Sequence, residues 1–169
     1  TIRNNIVLYK DYSEEEFDGI KMPSFCDPED IVQHLVFWID TSGSMGQREI
    51  EMVYSELLGA IQMFPKMTGW LGFFDASATD LHEFDTIDDV QNISAIGGGG
   101  TSFNVGFEKT FEQLDEDEVT GIIYMTDGYC DFPDESIARG KPVLWIVTND
   151  EINPPFGTVI HLDPSEYND

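Results

Sequence analysis

Five oxygen-bearing side chains stand where their types and spacing could do chemistry. Each directly follows an apolar or glycine-rich run or lies within five residues of its end. The five are Asp40, Ser42, Ser44, Thr101 and Asp127. Hydroxyl groups can complete an oxygen shell around a hard cation without adding negative charge to it. A ligand set of carboxylates and hydroxyls, without thiolate or imidazole, suits Mg²⁺, Mn²⁺ or Ca²⁺ better than Zn²⁺. These residues are therefore candidate ligands of a divalent metal ion.

Three apolar runs should bring carboxylates to one place. "HLVFWI" leads into Asp40, "GWLGFF" into Asp75 and "GIIYMT" into Asp127, and unbroken apolar runs are typical of parallel strands covered on both faces. Ligands of open α/β sheets bind beyond the carboxyl ends of such strands. Two unit charges about 4 Å apart repel by about 4 kcal/mol at an effective dielectric near 20, so the carboxylates need a cation, a shared proton or open solvent.

The remaining pattern predicts alternating strands and helices. Apolar residues recur at three- and four-residue steps over residues 47–64, and Pro65 stops that helix. Phe103, Phe107, Phe111 and Leu114 mark a second amphipathic helix. "LHEF" predicts a strand, and "PVLWIV" and "TVIHL" predict buried strands. Residues 134–139 are predicted to form a short helix. Together these elements predict a three-layer α/β domain with a mostly parallel sheet.

Composition and length narrow the possible partners. The 169 residues suit one domain, with 1–30 as an irregular lead-in carrying one short strand at "NIVLY". The net charge of −25 repels phosphate backbones and anionic lipids, so neither nucleic acid nor a membrane is an expected partner. Cys26 and Cys130 are far apart, which favours a reducing, cytoplasmic compartment. Neither a signal peptide nor a membrane span is visible.

Three segments carry a resemblance to a known family. "DTSGSM" (40–45), "GGGGTSF" (97–103) and "YMTDG" (124–128) resemble, in that order, the metal-ion-dependent adhesion site of von Willebrand factor A (VWA) domains. "FFDA", "TDGYCDFP", "VLWIV" and "PFGTVIHL" look most like the VWA-like domain at the C-terminal end of predicted bacterial metallopeptidases. The resemblance covers about residues 31–163 and implies a three-layer, Rossmann-like VWA domain over 31–169.

The resemblance also implies a function. Ser42 and Ser44 would hold a Mg²⁺-type ion directly and the aspartates largely through water, with Thr101 completing the set. An Asp or Glu of a partner protein, with a MoxR-type AAA+ ATPase as a candidate, would take the vacant position. A peptidase-like part would lie before Thr1, and "HEFDT" (82–86) is not the His-Glu-x-x-His pattern of a zinc peptidase. We therefore expect a binding domain and no enzyme activity.

Two alternatives place these residues in other roles. The hydroxyl groups could cap the helices that follow them. Asp75 could be a supporting carboxylate, which positions its neighbours without binding the metal, or a solvated one. A serine hydrolase is the second alternative, because "SGSMG" is one residue away from Gly-x-Ser-x-Gly and Ser44, Asp127 and His161 follow the order of α/β-hydrolase triads. Against it, Ser42 replaces the first glycine and nothing upstream resembles an oxyanion loop.

Glycines 97–100 precede the fourth of the five candidate ligands. Glycine adopts positive φ and lets the backbone approach a neighbour closely. We expect the run to use both properties to bring Thr101 to the edge of the sheet.

Overall fold

A computed structural model of the chain describes residues 33–63, 67–84 and 99–162. The strands are β1 (Gln33–Asp40), β2 (Met67–Phe74), β3 (His82–Phe84), β4 (Gly121–Thr126), β5 (Val143–Val147) and β6 (Thr158–His161). The α-helices are α1 (Gln47–Met63) and α2 (Phe103–Gln113), and two short 3₁₀ helices span Glu116–Glu118 and Glu135–Ala138. None of the helices described here is long and apolar enough to cross a membrane.

The six strands form one sheet in the order β3-β2-β1-β4-β5-β6. Strand β3 pairs with β2 in the antiparallel direction, and every other pairing is parallel. The chain moves outward from β1 to β3 and then returns to the other side of β1. Strands β1 and β4 are therefore neighbours at the point where the strand order reverses, which is where open α/β sheets bind their ligands.

Strand β1 shows why the predicted runs are unbroken. Leu35, Phe37 and Ile39 join a core cluster with α1, whereas Val36 and Trp38 join another with α2. All five are at most 2% exposed. Because successive side chains of a strand point to opposite faces, a sheet covered on both faces needs apolar residues at every position. The predicted three-layer α/β architecture is confirmed.

The element boundaries test the remaining predictions. Helix α1 ends at Met63, next to the predicted end, and the short helix predicted over 134–139 is a 3₁₀ helix. The prediction of a buried strand at "TVIHL" was wrong: β6 is only partly buried, because among the described strands it lies at the edge of the sheet and pairs only with β5. The lead-in at 1–30, with its predicted strand, lies outside the described residues, so the domain boundary stays a prediction.

Candidate metal centre

The loop after β1 brings together three of the predicted ligands. Ser42 N donates to Asp40 Oδ1 at 2.8 Å, and the hydroxyl oxygens of Ser42 and Ser44 are 3.1 Å apart. Asp40 and Ser42 are buried, whereas Ser44 is exposed. Helix α1 begins only at Gln47, so neither serine stands next to its first residue. The helix-capping alternative therefore does not fit these two hydroxyls.

Thr126 links this loop to the end of β4. Its hydroxyl donates to Asp40 Oδ2 at 2.6 Å and accepts a hydrogen bond from Gly128 N at 3.0 Å. Thr126 is completely buried, so the bond holds the Asp40 carboxylate in one orientation. The sequence interpretation did not single out this residue. Its signal was a hydroxyl group that ends an otherwise apolar run immediately before an aspartate.

Asp127 follows β4 and places a second carboxylate beside the first. The side chain is 5% exposed, and its Oδ1 accepts a hydrogen bond from Tyr129 N at 3.2 Å. Its Oδ2 is buried and has no hydrogen-bond partner within the part of the chain that the structure describes. A buried carboxylate oxygen without a partner is unfavourable and indicates a site for a water molecule or an ion.

The electrostatics of Asp40 agree with this arrangement. Burial raises the pKa of Asp40 above its ordinary value of 3.8, and the charge of Asp127 raises it further, against the hydrogen bonds from Ser42 and Thr126, which lower it. The ionised form of Asp40 is thus held in an unfavourable environment. A cation near both carboxylates would stabilise their ionised forms.

Thr101 lies in the loop before α2, and main-chain contacts tie that loop to the other two. Gly43 N donates to Gly99 O at 2.9 Å, and the Cys130 thiol donates to Thr101 O at 3.0 Å. The N-cap residue of α2 is Ser102, so Thr101 does not cap that helix. We call residues 41–46, 99–102 and 127–132 the site loops.

Gly99, the third glycine of the run, approaches the end of β2 closely. A Cβ atom on Gly99 would lie 3.1 Å from Asp75 Oδ2, within a tight contact. The expected positive φ does not occur at Gly99 or Gly100, so that part of the prediction was wrong for the two glycines that the structure describes. Glycine is needed here for space and not for a left-handed backbone.

Asp75 organises the loop before α2. Its Oδ1 accepts hydrogen bonds from Ser77 N at 2.8 Å and from Ser77 Oγ at 3.1 Å, and its Oδ2 accepts one from Gly99 N at 3.2 Å. The backbone carbonyl of Asp75 accepts a further bond from Ser102 N at 2.8 Å. These bonds, the one from Ser77 N foremost, lower the pKa of Asp75. The alternative of a supporting carboxylate fits this residue.

The residues of the hydrolase alternative do not form a triad. The Ser44 hydroxyl pairs with that of Ser42, and His161 Nε2 lies 2.9 Å from Ile152 O. Ser44, Asp127 and His161 do line a common cavity, but no hydrogen bond joins them among the residues described. Ser44 therefore lacks the adjacent base that would activate it.

The candidate centre contains only two carboxylates. Across residues 33–63, 67–84 and 99–162, no group of three or more His, Cys, Asp and Glu side chains is placed to hold a metal ion. The set contributed by the site loops and β1 therefore depends on hydroxyl oxygens as well as on Asp40 and Asp127. This composition matches a hard cation that keeps part of its water shell.

Comparison with known proteins places the chain in a family. The model of the VWA-like domain (DUF2201) matches residues 35–163, so the chain belongs to the VWA-like domain (DUF2201) family. A search of curated proteins gave no match.

Solved structures share the fold at low sequence identity. The ArnB paralog VWA2 from Sulfolobus acidocaldarius is 19% identical with a TM-score of 0.60, over 80% of this chain and 42% of that chain. The conserved hypothetical protein BatB from Bacteroides thetaiotaomicron is 16% identical with a TM-score of 0.56, over 68% and 66%. An aerotolerance-related membrane protein from Bacteroides fragilis is 17% identical with a TM-score of 0.51, over 68% and 67%. This chain thus spans about two thirds of BatB and less than half of VWA2.

Proposed function

We propose that this domain binds a partner protein through a divalent metal ion held by the site loops and Asp40. One observation carries the proposal: the unpartnered, buried Oδ2 of Asp127 lies directly after β4, the strand next to that of Asp40, and the loop after Asp40 presents two hydroxyl oxygens 3.1 Å apart. A cation of the Mg²⁺ type would satisfy the carboxylate and use the hydroxyls as neutral ligands.

The ligand roles are those that the family resemblance implies. Ser42 and Ser44 would supply hydroxyl oxygens directly. Asp40 already accepts hydrogen bonds through both of its oxygens, which fits the water-mediated role that the resemblance implies for it. The resemblance gives Asp127 the same role, in which a water molecule of the ion's shell would satisfy its Oδ2. Thr101 completes the set from the loop before α2. When bound, the ion offers a coordination position that an Asp or Glu carboxylate of the partner can occupy.

The mechanism of attraction has to be local. The chain carries a net charge of −25. A divalent ion adds two positive charges, so the protein remains strongly negative when the ion is bound. Long-range steering would repel an acidic partner, since it follows the field of the whole protein. Coordination at short range is therefore the source of affinity for the carboxylate. A MoxR-type AAA+ ATPase is the candidate partner that the family resemblance suggests.

Thermal unfolding with and without metal tests the proposal. Because only the folded state assembles the ligands, Mg²⁺ or Mn²⁺ should raise the melting temperature relative to EDTA, with about 2.7 kcal/mol of stabilisation at a hundredfold excess over Kd. Ser44→Ala should reduce this shift without harming the fold, because Ser44 is exposed. Asp117→Asn, which removes an exposed carboxylate of a distant 3₁₀ helix, is the matched control and should keep the shift.

Two results would contradict the proposal. One is a melting temperature that does not respond to millimolar Mg²⁺ or Mn²⁺ in the unaltered chain. The other is labelling of Ser44 by a fluorophosphonate probe, lost in Ser44→Ala, because only an activated serine nucleophile reacts in that way. Paramagnetic broadening of NMR signals by Mn²⁺ should centre on residues 42–44 and 127, which locates the ion independently of stability.

A further inference from the structure

A cavity of about 570 Å³ lies directly beside the candidate metal centre. Ser44 and Asp127, two of the proposed ligands, form part of its wall. The rest comes from Tyr129 in the loop after β4, the first turn of α1, the loop after β5 and the end of β6. Its volume is within the range of about 300–1,000 Å³ that is usual for ligand-binding cavities. A partner that reaches the ion therefore also reaches this cavity.

The charged side chains of the cavity wall are acidic. Four carboxylates line it, and these are Glu49, Asp127, Asp150 and Glu151. The lining residues include no lysine and no arginine. The ion pairs found in the described part of the chain involve Lys109 and Arg139, neither of which lines the cavity. The wall therefore suits a positively charged group.

Two further features of the wall indicate a ligand. Asp127, which is 5% exposed, carries the buried oxygen without a hydrogen-bond partner, and a carboxylate oxygen can accept more than one bond. Tyr129 is 63% exposed and is the large hydrophobic side chain that stands out from the described surface. An exposed tyrosine beside a cavity is a common anchor in protein interfaces, and its ring face attracts guanidinium and ammonium groups.

We propose that the partner inserts a lysine or arginine side chain into this cavity, next to the carboxylate that it offers to the ion. The pairing of the two groups in one partner rests on the proposed function, whereas the affinity of the cavity for a cation rests on its own wall. The partner segment would thus carry an acidic and a basic residue close together. The basic residue would also offset the repulsion between an acidic partner and this acidic chain.

An NMR titration with N-acetylarginine amide tests the cavity directly. Its neutral counterpart N-acetylcitrulline amide has nearly the same shape and serves as the matched ligand. The arginine probe should shift the amide signals of Tyr129, Asp150 and Glu151 in a saturable manner, whereas the citrulline probe should not. Because the attraction is electrostatic, raising the NaCl concentration should weaken the binding.

Paired variants identify the responsible carboxylates. Asp150→Asn with Glu151→Gln should weaken the arginine probe about threefold to tenfold, which corresponds to the loss of two exposed charge contacts. Asp117→Asn with Glu118→Gln removes the same charges from neighbouring positions of an exposed 3₁₀ helix and should leave the affinity unchanged. Equal shifts by the two probes, shifts scattered over other acidic surfaces, or equal effects of the two double variants would overturn the proposal.

The titration is run with Mg²⁺ and with EDTA so that two failures remain distinguishable. Arginine binding that persists in EDTA, in a chain whose melting temperature ignores metal, would support the cavity and contradict the metal-dependent function. A metal-dependent melting temperature without saturable arginine binding would support the function and contradict the cavity proposal.

Discussion

The two faces of the sheet are packed with different side chains. The cluster beneath α1 is mostly aliphatic and includes Leu35, Ile39, Val53 and Leu57. The cluster beneath α2 is built on rings in mutual contact, and Tyr124 lies 4.8 Å from Phe107 and 4.9 Å from Trp145 between ring centroids. Both clusters are buried, so the two faces differ in the kind of side chain that packs there and not in the presence of a core.

Buried hydrogen bonds also fasten α2 to the sheet. Tyr124 Oη donates to Phe103 O at 3.0 Å, and Trp38 Nε1 donates to Thr110 Oγ1 at 2.9 Å. We infer that the aromatic face fixes α2, and with it the loop that carries Thr101.

Truncating Phe103 should give the largest effect and tests this inference. Phe103→Ala should cost about 3–5 kcal/mol of folding stability and Leu57→Ala about 2–5 kcal/mol, because both side chains are fully buried. Only Phe103→Ala should also diminish the stabilisation by Mg²⁺, since Phe103 begins the helix after Thr101. Urea unfolding with Mg²⁺ and with EDTA measures both quantities. Equal losses of the metal effect in the two variants would remove the distinction between the faces.

Adding a methyl group at Gly106 should have the next largest effect. A Cβ atom there would overlap Tyr124 Oη and lie 3.3 Å from Trp38 Cδ2. Alanine favours a helix by about 1 kcal/mol over glycine, but overpacking a rigid core costs about 1–3 kcal/mol. Because the Tyr124 phenol is fully buried and hydrogen-bonded, we expect Gly106→Ala to be net destabilising. Gly100→Ala meets no atom within 4 Å and should change the urea midpoint little.

Removing the Tyr124 hydroxyl should have a smaller effect. Burial raises the pKa of Tyr124 well above 10.0, so the phenol remains a neutral donor. Tyr124→Phe leaves the Phe103 carbonyl without this donor and should cost about 1 kcal/mol. Tyr129→Phe, at an exposed position, should stay within about 0.5 kcal/mol. A thermal melt that ranks the two variants in the opposite order would argue against a fastening role for this bond.

The smallest expected effect concerns Asp75. This residue lies at the end of β2 and holds the loop before α2 by hydrogen bonds. Since its folded pKa lies below 3.8, its ionised form contributes stability above that pH, and the contribution is lost as the pH falls through the folded pKa. Asp75→Asn should therefore be less stable than the unaltered chain at pH 7, with the difference shrinking towards pH 3. Urea midpoints at both pH values measure it, and a pH-independent difference would contradict the assignment.

Local patterns predicted much of this architecture. The apolar runs located β1, β2, β4 and β5, and three- and four-residue spacing located both helices, because burial on two faces or on one stripe leaves a direct trace in the sequence. The exposure of β6 left no such trace. The central Val159 and Ile160 match a buried strand, and the place of β6 at the edge of the described sheet leaves them partly exposed.

The order of the candidate ligands along the chain could also be read from the sequence. The apolar runs further predicted that the ends of their strands would bring Asp40 and Asp127 close together. Tertiary structure alone decided the bond from Thr126 to Asp40, which joins residues 86 positions apart, the close fit of Gly99 against Asp75, and the acidic cavity beside Ser44. The physical reason is that periodicity records whether a side chain is buried, whereas the identity of its neighbour depends on how distant strands and loops meet.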